Sequence, residues 1–193
     1  GILIAAAYVR GIQSKGVAAC PKHFAVNSQE ERRMTMNAVL DERTLREIYL
    51  TGFEIAVKEG RAKSIMTSYN EVNGTYANEN KHLLQEILRD DWKFDGIVIT
   101  DWGASNDHTA GVAAGSNLEM PTPGFDSAIG LVRAYKEGKI TLEEIDRCAG
   151  QLLKAIFELK GAECKDTKRS ENAPEKEPEI SQEDAGRHHE LAQ

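Results

Sequence analysis

The sequence predicts a parallel α/β fold in which short strands alternate with helices. Three observations carry this. Four apolar stretches, near residues 17–20, 64–68, 97–100 and 116–120, are separated by segments with helical spacing of apolar positions. The third of them, Gly96-Ile97-Val98-Ile99-Thr100, is β-branched from Ile97 to Thr100, the composition of a strand buried on both faces. Each strand–helix unit is roughly 30–45 residues, the size of a βαβ step. Four such units are half of an eight-unit (β/α) barrel of TIM type. A doubly wound sheet satisfies the alternation equally well. No G-x-G-x-x-G follows a strand and no P-loop is present, so nucleotide binding has no support.

In chain order, Ile4, Ala7, Tyr8 and Ile12 give a helix over 2–14, ended by Lys15-Gly16. Val17-Ala18-Ala19-Cys20 is a short strand closed by Pro21-Lys22-His23-Phe24, and a polar loop runs from Asn27 to Arg33. Asp41-Glu42-Arg43-Thr44 opens a helix with acids at its positive end, and Leu45, Ile48, Tyr49, Phe53 and Val57 form its inner stripe up to Gly60. Ser64 to Ser68 is the second strand, followed by a loop with an Asn73-Gly74 turn signal. Asn80 caps a helix carrying Leu83, Leu84, Ile87 and Leu88. After the third strand a helical segment spans Ala104 to Ala114, and Ser116 to Met120 is a weaker fourth strand ended by Pro121 and Pro123. A helix over 126–137 stops at Gly138, and Thr141-Leu142-Glu143-Glu144 is a capping box for the last one.

Beyond Gly161 the composition turns to Lys, Glu, Asp and Pro, with few large apolar residues. Such a run cannot bury a core and reads as a flexible linker over 161–180. Ile180 to Asp184 then opens a new helix start. The net charge of −7 argues against nucleic acid and anionic membrane as partners. No apolar run approaches the roughly 20 residues of a bilayer span. Cys20, Cys148 and Cys164 are odd in number and irregular in spacing, which indicates neither a disulfide framework nor a zinc site. The expectation is a reducing, cytoplasmic compartment.

All four strands end in polar or aromatic chemistry: Lys22 and His23; Ser68, Tyr69 and Asn70; Asp101 and Trp102; Glu119 and Met120. Parallel strands bring their carboxyl ends to one rim. An acid after a strand also caps helices, so Asp101 alone is ambiguous. Together, cations, hydroxyl donors, an aromatic platform and a carboxylate suit a sugar, whose hydroxyls need polar partners and whose apolar face stacks on Trp or Tyr. A base beside Asp101, at Lys22, His23 or Arg33, would keep the carboxylate charged, as a nucleophile requires. No metal-ligand spacing is present.

Lys22-His23-Phe24 with Asn27, Glu30 and Arg33, then Met66-Thr67-Ser68-Tyr69-Asn70-Glu71-Val72-Asn73-Gly74, then Ile99-Thr100-Asp101-Trp102-Gly103, together resemble glycoside hydrolase family 3 of the β-glucosidase type. The resemblance runs from about Ala5 to Leu159. Leu118-Glu119-Met120-Pro121 is similar to the family's closing barrel motif. Residues 181–193, with His188-His189-Glu190-Leu191-Ala192, are similar to the opening of its second, α/β sandwich domain.

The resemblance implies a C-terminal half of a (β/α)8 barrel over 1–160, a linker over 161–180 and the start of a second domain over 181–193. It implies a retaining, exo-acting β-glucosidase that removes terminal β-D-glucosyl residues from glucosides or oligosaccharides, with no cofactor. Asp101 matches the nucleophile that forms the glycosyl-enzyme. Lys22, His23 and Arg33 match residues that grip sugar hydroxyls, Tyr69 matches the hydroxyl donor beside the nucleophile, and Met66 and Trp102 match walls of the subsite. The family's general acid/base belongs to the second domain, beyond Gln193, so the chain alone is expected to be nearly inactive. Glu71 and Glu119 have no motif support as substitutes. β-Xylosidase and α-arabinofuranosidase activity are the alternatives within the family. N-acetylglucosaminidase activity fits less well, because Ala25-Val26-Asn27-Ser28 stands where that branch has a glycine-rich loop with its histidine. A non-catalytic half-barrel that binds sugar or self-associates through open edges is the alternative outside enzymes.

Overall fold

A computed structural model describes residues 2–121 and 125–166. Helix α1 (Ile2–Gln13) leads, through the extended segment at 17–24, into strand β1 (Asn37–Ala38) and helix α2, which runs without a break over 42–58. Strands β2 (Ser64–Met66), β3 (Glu71–Val72) and β4 (Thr75–Tyr76) follow, then a tight turn at Ala77–Glu79 and helix α3 (His82–Asp91). Strand β5 (Ile97–Ile99) and helices α4 (His108–Ala114), α5 (Phe125–Lys136) and α6 (Leu142–Asp166) complete the described chain.

The expected parallel arrangement is present at the centre. β2 and β5 pair in parallel, with Ile65 opposite Val98 and Met66 opposite Ile99. Parallel bridges Phe24–Thr67 and Ile99–Leu118 add a segment on either side. The spatial order therefore follows the sequence: 17–24, β2, β5, 116–118. The first segment is less regular than expected because Pro21 has no N–H to donate. Its backbone still accepts from Ser64 and Met66, and Phe24 N donates to Met66 O at 2.7 Å.

The buried residues explain this arrangement. Ile65 and Val98 are fully buried, as are Leu83, Leu84, Ile87 and Leu88 on one face of α3. Phe24 packs edge-on against Phe53 and Trp92, with ring centroids 5.2 and 5.9 Å away. Burial of such side chains contributes about 1.5–3 kcal/mol each. Asn80 Oδ1 accepts from Leu83 N at the start of α3. The expected capping box forms, with Glu144 N donating to Thr141 Oγ1 and Thr141 N to Glu144 Oε2. Gly115 ends α4 at φ 108°.

The fold departs from the sequence reading in four places. Ile48 does not belong to the buried stripe of α2: it is 70% exposed, and Leu50 is buried instead. Residues 45–50 are wound in wide π turns, which shifts the phase of the buried face. A second small sheet was not foreseen, in which β1 pairs in parallel with β3 and β3 forms a hairpin with β4. The Asn73-Gly74 signal makes that hairpin, both residues having positive φ. α4 begins at His108 rather than Ala104, since 101–106 is a bonded loop. The last helix continues past Gly161 to Asp166. The remainder of the expected linker and the second-domain start lie outside the described residues. Among the described residues no helix is long and apolar enough to cross a membrane.

Candidate active site

The carboxyl ends of the central segments meet at one rim. Their register is fixed by buried polar groups. Ala25 O accepts from Ser68 Oγ at 2.8 Å and from Asn70 Nδ2 at 3.1 Å. These bonds tie the turn bearing His23 to the turn bearing Tyr69. On the other side Thr100 Oγ1 accepts from Met120 N at 2.7 Å, and Gly103 N donates to Met120 O at 3.1 Å. Thr100 is 1% exposed, so the clasp is anchored on a buried hydroxyl next to Asp101 in the chain.

Asp101 is not a helix cap. Asp107 fills that role, accepting from Ala110 N at 2.9 Å. Asp101 instead faces His23, whose Nε2 lies 3.2 Å from Oδ2. Both side chains are mostly buried yet reach solvent, at 16% and 31% exposure. Tyr69 is buried and donates from its hydroxyl to Trp102 O at 3.0 Å. Burial pushes its phenol pKa up, the nearby Asp101 charge and bonding to Asp101 push it further, and Arg33 opposes them. The phenol therefore stays protonated and available as a donor. Arg33 lies over the Tyr69 ring, 4.9 Å from its centroid, and is held by Glu30 at 2.7 Å. Trp102 is half-exposed beside them, an open aromatic face. Met66 is half-buried at the end of β2, opposite Ile99.

His23, Arg33, Tyr69, Asp101 and Trp102 thus form one connected cluster. Lys22 stands apart from it. Its side chain is exposed, makes no ion pair among the described residues, and lines a groove of about 500 Å³ with Cys20, Tyr49 and Phe53. Glu119 does not face the mouth as an open carboxylate: its Oε2 contacts His108 Nδ1 beneath the loop, beside Thr100 and Asn78. Among the described residues no group of three or more His, Cys, Asp or Glu is placed to hold a metal. A charged carboxylate next to an imidazole, a phenol donor, a guanidinium and an exposed indole can bind a polyhydroxy ring and attack it from one side.

The supporting residues Thr100 and Glu79 were not singled out from the sequence. Thr100 reads there as strand composition, and nothing in the spacing around Glu79 marks it.

The family described as "Glycosyl hydrolase family 3 N terminal domain" matches residues 2–155. The chain belongs to glycosyl hydrolase family 3. A "Thermostable beta-glucosidase B" of Acetivibrio thermocellus is 44% identical over 189 residues, 98% of this chain and 23% of that protein. An "Exo-alpha-(1->6)-L-arabinopyranosidase" of Bifidobacterium longum is 45% identical over 154 residues, 80% of this chain and 20% of that protein. Among solved structures, the β-glucosidase of Kluyveromyces marxianus in complex with glucose superposes with a TM-score of 0.83 at 36% identity, covering 97% of this chain and 23% of that one. The chain spans about a quarter of the length of the family 3 relatives it matches.

Proposed function

We propose that the complete polypeptide carrying this chain is a retaining, exo-acting β-glucosidase, and that this chain supplies its nucleophile and one wall of its sugar subsite. The observation that carries the reading is the cluster itself: Asp101 against His23, with Tyr69, Arg33 and Trp102 around it, in a family 3 sequence. Asp101 attacks the anomeric carbon, a C–O bond to its carboxylate forms, and the bond to the departing alcohol breaks. The leaving oxygen takes its proton from a carboxylic acid contributed from outside this chain, and water then releases the sugar. In retaining enzymes the two carboxyl groups stand about 5–5.5 Å apart, and the transition state is oxocarbenium-like. His23 and Arg33 grip hydroxyls, Tyr69 donates beside the nucleophile, and Met66 and Trp102 wall the subsite.

The four parallel segments are read as consecutive strands of the C-terminal half of a (β/α)8 barrel, followed by a linker and a second domain. Their outer edges favour pairing with the rest of the barrel or with another copy. General acid assistance is typically worth about 10²–10⁴ in rate, so the chain alone turns over substrate at most weakly. The small number and irregular spacing of the cysteines fit a reducing, cytoplasmic setting.

The test is Asp101→Asn in the complete polypeptide, assayed on an aryl β-D-glucoside. Turnover should be abolished; a variant that keeps a tenth of the wild-type rate removes Asp101 from the nucleophile role. The Bifidobacterium relative favours a second reading, an α-L-arabinopyranosidase. The ratio of kcat/KM on the aryl β-D-glucoside and the aryl α-L-arabinopyranoside decides between them.

A further inference from the structure

We propose that Glu79 is a positioning residue for the nucleophile loop, residues 101–107. It holds the far end of that loop and through it sets the place of Asp101 and Trp102. This rests on Asp101 being the nucleophile.

A single oxygen, Glu79 Oε1, accepts from two consecutive backbone groups, Asn106 N at 2.9 Å and Asp107 N at 2.6 Å. The ordinary account would be a cap for α4, but Asp107 already provides that cap on Ala110 N. Glu79 acts one step earlier, on the loop itself. The near end of the same loop is fixed by Ala104 N to Asp101 O at 3.0 Å, by Gly103 N to Met120 O at 3.1 Å, and by the Tyr69 hydroxyl on Trp102 O. Glu79 is the matching anchor at the other end.

Its own base is rigid. Ala77 and Asn78 are buried, and Thr67 Oγ1 donates to Asn78 Oδ1 at 3.2 Å. Asn78 is also packed against Gly111 of α4, where an added Cβ would lie 2.9 Å from Asn78 Nδ2. The carboxylate thus projects from a buried, hydrogen-bonded turn onto the largely exposed loop.

The charged groups facing Glu79 are Glu71, from the hairpin, and Asp107, from the loop; Lys81 is turned to Glu144 and His108 to Glu119. Burial, then Asp107 and Glu71, push the Glu79 carboxyl pKa up, against the pull of the two backbone donors. A carboxylate accepts N–H bonds about twice as strongly as a neutral acceptor. Protonation as pH falls therefore weakens the grip on the loop. Displacement of a reacting group by about 1 Å can cost as much as 10²-fold.

The test uses the complete polypeptide with Glu79→Ala, Glu79→Gln and Asp101→Asn, assayed on an aryl β-D-glucoside from pH 4 to 8. Glu79→Ala should lower kcat/KM about tenfold, mostly in kcat. Glu79→Gln keeps an oxygen acceptor and should recover activity to within about threefold at neutral pH. The ratio of wild type to Glu79→Gln should shrink as pH falls, because wild type then loses the charge that the amide never had. Glu79→Ala with wild-type kcat/KM overturns the proposal. So does a wild-type to Glu79→Gln ratio that is constant with pH, which remains measurable even when the alanine variant does not fold. Persistent activity in Asp101→Asn overturns the reading of the site, and the present one with it.

Discussion

Replacing Arg89 with methionine should destabilise the chain by about 2–4 kcal/mol. Arg89 is 8% exposed at the end of the sheet away from Asp101. Its Nη1 donates to Phe94 O at 3.1 Å and Gly96 O at 2.7 Å, and its Nη2 to Asn117 Oδ1 at 2.9 Å. Methionine fills much of the volume but donates nothing. Asn117 Oδ1 keeps Val98 N at 2.7 Å, so the loss falls on the two carbonyls. A buried acceptor deprived of its donor costs about 1–3 kcal/mol. Against this, no carboxylate among the described residues accepts a bond from the guanidinium. Burial depresses its pKa to about 10, and Nε has no partner, so part of its desolvation cost returns on removal. Urea unfolding of wild type, Arg89→Met and Arg89→Lys at constant pH reads the difference from the midpoint at unchanged m. Lysine places one charge where the fork served three acceptors, so it should fall between the other two. A loss under 1 kcal/mol for methionine, or a lysine variant as stable as wild type, would refute the claim that the planar fork pins this end of the fold.

Two further predictions concern the same scaffold. Gly96→Ala should be more damaging than its size suggests, by several kcal/mol or by failure to fold, because the added methyl meets Lys63 O of the neighbouring strand and lies within 2.7 Å of the Phe94 ring; a thermal midpoint within a degree or two of wild type would contradict it. His82 joins α2 to α3, with Nδ1 2.6 Å from Glu86 and Nε2 2.8 Å from Glu42. Both ring nitrogens face carboxylates, so the geometry demands the imidazolium. The hydrogen bond to Glu86 raises its pKa against burial, and Glu42 adds to the rise. The stabilisation is therefore complete below the ordinary histidine value near 6.5 and is lost as pH rises through the elevated folded value. The groups are 40–63% exposed, and screening limits the effect to about 0.5–1 kcal/mol. The difference in unfolding free energy between wild type and His82→Gln should be present at pH 5.5 and vanish at pH 9; an equal difference at both would count against the clasp.

Much of this was legible in the residues because it depends on local rules. The β-branched run at 97–100 becomes β5 and its continuation, the leucine spacing of α3 becomes its buried face, and Asn80, Thr141 and Gly115 cap where their chemistry dictates. Asp101, His23 and Tyr69 were legible as strand-end chemistry once the strands were taken as parallel. What escaped depends on wide winding and distant pairing. The π turns at 45–50 exchange Ile48 for Leu50, which no 3.6-residue period foresees. The pairing of β1 with β3 joins segments separated by α2. Glu79 meets Asn106 and Asp107 only because the turn after β4 lies beneath the loop after β5, a proximity absent from the order of residues. Lys22 and His23 are adjacent in the sequence but have different surroundings, His23 facing Asp101 and Lys22 lying exposed beside Cys20, Tyr49 and Phe53.

The span from Asn117 to Met120 touches both ends of the sheet. Asn117 bonds to Arg89, Val98, Cys148 and Gln151, while Met120 closes on Thr100 and Gly103. A change of backbone there would disturb the floor and the rim at once. On the proposed glycosidase reading, changes of sugar preference are better sought at the exposed residues 28–32 and 34–35, around Arg33, than in this span.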